Sequence, residues 1–292
     1  MALMEMSETL STLVFQLVNG LIWGCILALI ALGLSLIFGQ MGIVNMAHGE
    51  LYMAGAVLVF SLTSLTKNFW LMVVVVAVIM GLLGGVAERF MLRPFEGKPM
   101  PSMVATIGLS FIMQQLALMW FGGIPKQMVD PWPTVVQLFG MPFPGYRVLV
   151  AFIAVLLIAV LWTLLHRTSL GTSIRACMQD AETANAMGIN SGRISVITFG
   201  LGTALAALGG ALSAPISQVF FLMGTDVVLF AFIVAIVGGL GSLEGTLVAA
   251  ISLSALEGVL SVTLSPVQAR AAIFLIMSAV LVVRPHGLFG RV

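Results

Sequence analysis

Asn45, His48 and Glu50 lie within six residues of one another in the stretch GIVNMAHGELY, residues 42–52, between two long apolar runs. An amide, an imidazole and a carboxylate placed so closely could form a catalytic cluster or line a transport path. Asn45 and His48 are three residues apart, and Gly39, Gly42 and Gly49 flank the group. A helix break or short re-entrant turn would therefore put the polar side chains on one surface. Irregular backbone at such depth is tolerated only where it is buried in protein or lines a water-filled cavity. A polar cytoplasmic turn is the alternative, because the flanking runs are long enough to span without this stretch.

Two further polar stripes lie inside apolar segments. Ser102, Thr106, Ser110 and Gln114 recur every four residues, which on a helix aligns four hydrogen-bonding side chains along one face. That face is expected to look at a partner helix or a water-filled path. Ser254, Glu257 and Ser261 share a face in the same way. An acid among lipid tails costs about 2.5 to 3.5 kcal/mol on insertion scales, so Glu257 is expected to face protein or water. It belongs either to an interhelical hydrogen-bond network or to a translocation path.

The sequence contains no Walker-type loop, no His-Glu-x-x-His, no Gly-x-Ser-x-Gly and no Cys/His cluster. Neither ATP hydrolysis nor a familiar membrane hydrolase reaction is expected of this chain, and no cofactor or metal is implied. His166 and His286 fall at expected cytoplasmic helix ends, and Cys25 and Cys177 make no disulfide or metal spacing.

The elements that must position these residues are membrane spans. Of 292 residues 60% are hydrophobic and 8% charged, with a mean hydropathy of +1.16, which defines a polytopic membrane protein. A net charge of +1, with basic residues scattered in short connections, argues against nucleic-acid binding. An all-α transmembrane bundle in one integral membrane domain, residues 1–292, is predicted. Its expected spans are Leu10 to Phe38, Leu51 to Leu65, Phe69 to Met91, Ser102 to Phe121, Val148 to Leu165 and Ile194 to Ala214. Three shorter ones follow, Val227 to Leu240, Leu247 to Val262 and Ala271 to Val283, giving eight or nine spanning or half-spanning helices.

Basic residues cluster in Arg89 to Lys98, Arg167 to Arg193 and Arg284 to Arg291, which places those connections in the cytoplasm. Residues 122–147, rich in Pro and Trp, then form an ordered outer loop. Met1 to Glu8 carries Glu5 and Glu8 without Lys or Arg, so the first apolar segment is expected to be retained as a span. The N-terminus is outside if the span count is odd and inside if one segment is re-entrant. Glycines within the spans serve close helix packing, and the Gly238 to Gly245 cluster is expected to break a helix.

Residues 168–192 read as a unit outside the bilayer. Thr172 or Ser173 could cap a short helix beginning at Ile174, whose apolar face is Ile174, Met178 and Ala181 and which Gly188 ends. Such a helix rests on the membrane surface or docks into a soluble partner.

Taken together, "GLSLIFGQMGIVNMAHGELYMAGA", "MVATIGLSFIMQQLA", "GTSIRACMQDAETANAMGI", "AIVGGLGSLEGTLVAA" and "RPHGLFGR" resemble the LivH-type permeases of bacterial branched-chain amino-acid ABC transporters. The resemblance covers nearly the whole chain. It implies a multi-pass subunit of the bacterial inner membrane, not itself an enzyme. Its implied partners are a LivM-type permease, two cytoplasmic ABC ATPases, a periplasmic solute-binding protein, an amino-acid solute and the surrounding lipid. It also implies that residues 172–188 form a coupling helix, in which Ile174, Arg175, Met178, Asp180, Glu182 and Gly188 would meet the ATPase. "AETANAMG" departs from the family's loose Glu-Ala-Ala-x-x-x-Gly pattern, since Thr183 follows Glu182. Under this resemblance Asn45, His48, Glu50, Thr106, Ser110, Gln114 and Glu257 are the candidates for the solute path. A urea or short-amide ABC permease, or an ATP-independent channel or carrier, would share many of these features.

Overall fold

The computed structural model describes residues 2–138 and 140–290, with side chains from Leu10 onward. Arg291 and the side chains of Glu5 and Glu8 lie outside the described residues. The helices are α1 (Ala2–Met41), α2 (His48–Thr66), α3 (Phe69–Ala87), α4 (Pro99–Phe121), α5 (Gly145–Arg167), α6 (Ser169–Gln179), α7 (Ala181–Ala186), α8 (Ser191–Ser213), α9 (Met223–Gly238), α10 (Leu243–Leu260) and α11 (Pro266–Val283). Among the described residues eight of these are long and apolar enough to cross a membrane, and α9 is a shorter apolar helix. Several of their starts follow capping chemistry. Asn68 accepts the Leu71 N–H at the head of α3, and Ser265 with Gln268 forms a reciprocal capping box behind Pro266 at the head of α11. The Gly238 to Gly245 cluster does end α9, through positive φ at Gly239 and Gly241, before Ser242 caps α10.

The core is α1, packed against α5, α8, α9 and α10; Ile26 to Ala31 are wholly inaccessible. α4, α5 and α11 are peripheral, with only 17, 22 and 11% of their spanning windows buried, so their apolar faces must meet lipid or other subunits. α1 and α8 run antiparallel: Ile30 packs at Gly209, and Gly33 meets Gly202, the centre of α8. There a Cβ on Gly33 would lie 2.6 Å from the Gly202 carbonyl oxygen, and one on Gly202 would lie 2.8 Å from that of Gly33. Without a hydrophobic drive between helices in lipid, this backbone approach is what dispersion has to work with.

Two parts of the chain mirror one another. α1 is followed by an irregular segment, 42–47, and α2; α8, running the opposite way, is followed by the irregular segment 214–222 and α9.

Two local expectations are corrected. The short helix expected after α5 starts at Ser169, not Ile174, because the Thr168 hydroxyl accepts the Gly171 N–H and caps it, leaving Thr172 and Ser173 inside the helix. It also breaks at Asp180, whose carboxylate accepts the N–H groups of Glu182 and Thr183 and starts α7. The connection between α4 and α5 contains a hairpin, β1 (Val135–Leu138) paired antiparallel with β2 (Met141–Pro144).

Gly33→Val should force α1 from α8 and cost about 1 to 3 kcal/mol through overpacking. A lowered unfolding midpoint in detergent would register it; an unchanged midpoint would mean that the two helices are free to separate here.

Candidate functional site at a helix break

α1 ends at Met41, and Gly42, with φ +64°, turns the chain back. Residues 42–47 return along the bundle, and His48 opens α2 with Nε2 donating to the Ile30 carbonyl at 2.9 Å. Ile30 lies one turn from Gly33, level with the centre of α8, and eleven residues before Met41, about 16 Å of helix at 1.5 Å per residue. The polar group is therefore at mid-depth in the bundle rather than in a cytoplasmic turn.

The stripe on α4 explains how broken backbone survives there. The Val44 N–H donates to Ser102 Oγ at 3.2 Å and the Met46 N–H to Thr106 Oγ1 at 3.0 Å, while the Thr106 hydroxyl reaches the Val44 carbonyl at 3.1 Å. Asn45 closes the turn with its own side chain, Oδ1 accepting the Ala47 N–H at 3.1 Å. One and two turns further along α4, Ser110 Oγ and Gln114 Nε2 donate to Glu50 Oε1 at 3.2 and 2.7 Å. Glu50 is 1% exposed, and its Oε2, directed at Gly224, has no hydrogen-bond partner among the described residues.

Gly224 lies in the first turn of α9. It packs on Gly49 so closely that a Cβ on Gly49 would fall 2.8 Å from the Gly224 carbonyl carbon. Two helices thus begin side by side inside the bundle, neither with a side-chain hydrogen bond at its N-cap. Helix N-termini carry partial positive charge, and Glu50 and Asp226 stand in the first turns of α2 and α9. Gln114 bridges the two, with Nε2 also 3.3 Å from Thr225 Oγ1. Beside Asn45 lies an apolar cavity of about 410 Å³, lined also by Leu51, Ala54, Leu58, Leu109 and Met113.

Asn45, His48, Glu50, Thr106, Ser110 and Gln114 thus meet in one place. Glu257 does not join them. On α10 it faces Arg270 Nε at 3.5 Å, one residue before Gly258, which packs against the Gln16 carbonyl of α1. Sequence reasoning passed over Thr225 and Asp226, both exposed at the start of α9. The signal was available: Asp226 is an acid between Val219–Met223 and Val227–Gly238, the argument applied to Glu257.

In α6, Ile174 is fully buried, and Arg175 and Met178 border a cavity of about 610 Å³ with His166 and Glu244. Glu182 is exposed, and Gly188, with φ +86°, ends α7 as the Ile189 N–H returns to the Ala184 carbonyl at 3.0 Å. The Thr183 hydroxyl, with the Thr183 and Glu182 amides, holds the Asp180 carboxyl below its ordinary range. A second cluster not foreseen from the sequence ties this region to the break. A π-helical turn, Glu88–Leu92, follows α3, and Arg93 grips the wholly buried Glu88 carboxylate at 3.2 and 3.1 Å. Arg93 also donates to the Gly192 carbonyl at 2.7 Å, and Ser195 joins Glu96 at 2.7 Å to Gln40 at 3.0 Å.

A helical bundle whose interior holds the adjoining starts of two helices is the architecture of a membrane transport protein. The chain belongs to the family described as the permease component of branched-chain amino acid transport systems, which matches residues 16–283. It is 29% identical to the high-affinity branched-chain amino acid transport system permease protein LivH of Escherichia coli K12, over 98% of each chain. It is also 29% identical to BraD of Pseudomonas aeruginosa, over 94% of this chain and 95% of the relative. A probable LivH of Methanocaldococcus jannaschii is 25% identical over 93% of this chain. No solved structure matches.

Gln114→Leu should leave the buried Glu50 carboxylate short of its nearest donor and destabilise the protein by roughly 1 to 3 kcal/mol, measurable as a fall in thermal midpoint. For Asp180 the depressed carboxyl means that stability at α7 is fully present above the ordinary carboxylate value and lost as pH falls through the depressed one. Amide-exchange protection at Glu182 and Thr183 should drop on that acidification, and Asp180→Asn should abolish the pH dependence.

Proposed function

We propose that this chain is the permease subunit of an ABC importer that carries amino acids, branched-chain ones first, across the bacterial inner membrane. It would work beside a second, LivM-type permease, two cytoplasmic ATPases and a periplasmic binding protein. The observation that carries the reading is the meeting of the α2 and α9 N-termini at mid-depth, in a chain whose relatives are named for branched-chain amino acid transport. Half-helix ends at the midplane are where transporters place a charged solute. The adjoining cavity of about 410 Å³ is lined mainly by apolar side chains, Trp120 and Phe199 among them, which suits an apolar amino acid better than urea.

Asn45, His48, Glu50, Ser110 and Gln114 border the path in this reading, with Thr106 holding the backbone that presents them. The segment of α6 and α7, with Ile174, Arg175, Met178, Asp180, Glu182 and Gly188, is the lever. ATP binding would draw the ATPases together and displace it. Arg93, joined to Gly192, and Ser195, joined to Gln40, would pass that displacement to α8 and the end of α1. No covalent chemistry falls to this subunit.

The test is the reconstituted complex in proteoliposomes with its binding protein. Aliphatic amino acids should stimulate ATP hydrolysis and accumulate inside, whereas polar amino acids and urea should do so weakly. Stimulation by urea alone, or uptake that proceeds without the ATPases, would overturn the reading. Alanine at Asn45, His48 or Glu50 should lower uptake about ten-fold, the equivalent of roughly 1.4 kcal/mol, in complexes that still assemble. Normal uptake in all three would leave the break a purely structural turn.

A further inference from the structure

We propose that Thr225 and Asp226, with Gln114 beside them, form a subsite on the solute path that receives the α-ammonium group of an amino acid. The proposal rests on the amino-acid importer reading. Its depth is set by contacts already described: Gly224 on Gly49, and Gln114 between Glu50 and Thr225. Asp226 follows directly in the first turn of α9 and is exposed, with no ion-pair partner among the described residues.

A carboxylate at that depth is strongly disfavoured against lipid tails, so it faces water or another subunit. The outward side of α9 carries Leu222, Thr225, Asp226 and Leu229, all exposed. α4 reaches this side through Gln114, α11 packs against α9, and these two helices are the least buried spans of the chain. The exposed face of α9 is thus flanked by two helices that themselves lack cover, where a second permease would close a path.

The chemistry of the group selects the ligand. It offers two carboxylates, a hydroxyl and an amide, and no cationic side chain. Glu50 adds a buried Oε2 without a partner, turned toward the same helix turn. An ammonium group brings three donors and one positive charge to such acceptors. The positive end of the α9 dipole, which has no side-chain cap, complements it by favouring the carboxylate of the same zwitterion. A neutral amide solute would leave the Asp226 charge uncompensated.

The test uses the assembled transporter with Cys25 and Cys177 replaced by alanine. Leu222→Cys, exposed beside the subsite, is treated with a membrane-impermeant cationic thiosulfonate, with Leu156→Cys on the outer face of α5 as the lipid-facing control. Leu222→Cys should be modified and Leu156→Cys should not, and leucine delivered by the binding protein should slow the modification several-fold. Asp226→Asn should lower leucine uptake about ten-fold, as loss of one charge-assisted bond would, and Asp226→Glu should retain more. No modification, modification indifferent to leucine, or wild-type uptake by Asp226→Asn would each overturn the subsite. Should Asp226→Asn fail to assemble, the cysteine modification and Asp226→Glu decide. A complex that carries urea and no amino acid would sink the cargo reading and this subsite together, whereas leucine uptake unaffected by Asp226→Asn would sink the subsite alone.

Discussion

A polypeptide inside a bilayer has no water to satisfy its amides, and the course of this chain between Met41 and His48 depends on that constraint. Six residues leave helical geometry at mid-depth, and their N–H and C=O groups must find partners within the protein. Ser102 and Thr106 supply them from α4. Because the two hydroxyls are four residues apart, the same face of α4 continues to Ser110 and Gln114, one and two turns on, where Glu50 arrives. Satisfying the break and holding the carboxylate are one structural act, and α4 is fixed against α2 although little else covers it.

Close approach of small residues does the remaining positioning. Gly33 with Gly202 crosses α1 and α8 at the centre of the bundle, and Gly49 with Gly224 brings the first turns of α2 and α9 together. Any side chain at the second pair would separate the two helix ends. Their partial positive charges would then no longer share a space with Glu50 and the first turn of α9. The opposed directions of α1 and α8 turn one repeated pattern, a long span, an irregular segment and a helix starting within the bundle, into two ends that face each other.

Far from that point, the connections after α3 and before α8 are polar but not loose. Arg93 satisfies a Glu88 carboxylate that no solvent reaches and, in the same gesture, holds the start of α8. Ser195, between Glu96 and Gln40, joins α8 to the last turn of α1. The start of α8 is therefore attached by hydrogen bonds to the helix whose end turns into the break.

The spans were legible because lipid imposes length and hydropathy on them, and the α4 stripe was legible because a helix repeats every 3.6 residues. Local chemistry was less so. Thr168 and Asp180, rather than Thr172 or Ser173, start α6 and α7, since a cap is chosen by the geometry of the preceding turn as well as by residue type. Glu257 and Asp226 look alike in sequence, as single acids in apolar segments, yet one faces Arg270 and the other stands exposed beside Gln114 and Thr225. By itself the sequence determined an all-α membrane bundle, its polar stripes and the presence of a discontinuity near residue 45, all of which follow from composition and local periodicity. Only the tertiary structure decided that the stripe serves the break, that Glu50 meets the start of α9, and that Asp226 belongs to the same region. Those pairings join residues from 58 positions apart, Val44 with Ser102, to 174 apart, Glu50 with Gly224, and their partners are selected by packing and hydrogen-bond satisfaction across the bundle, which no local pattern encodes.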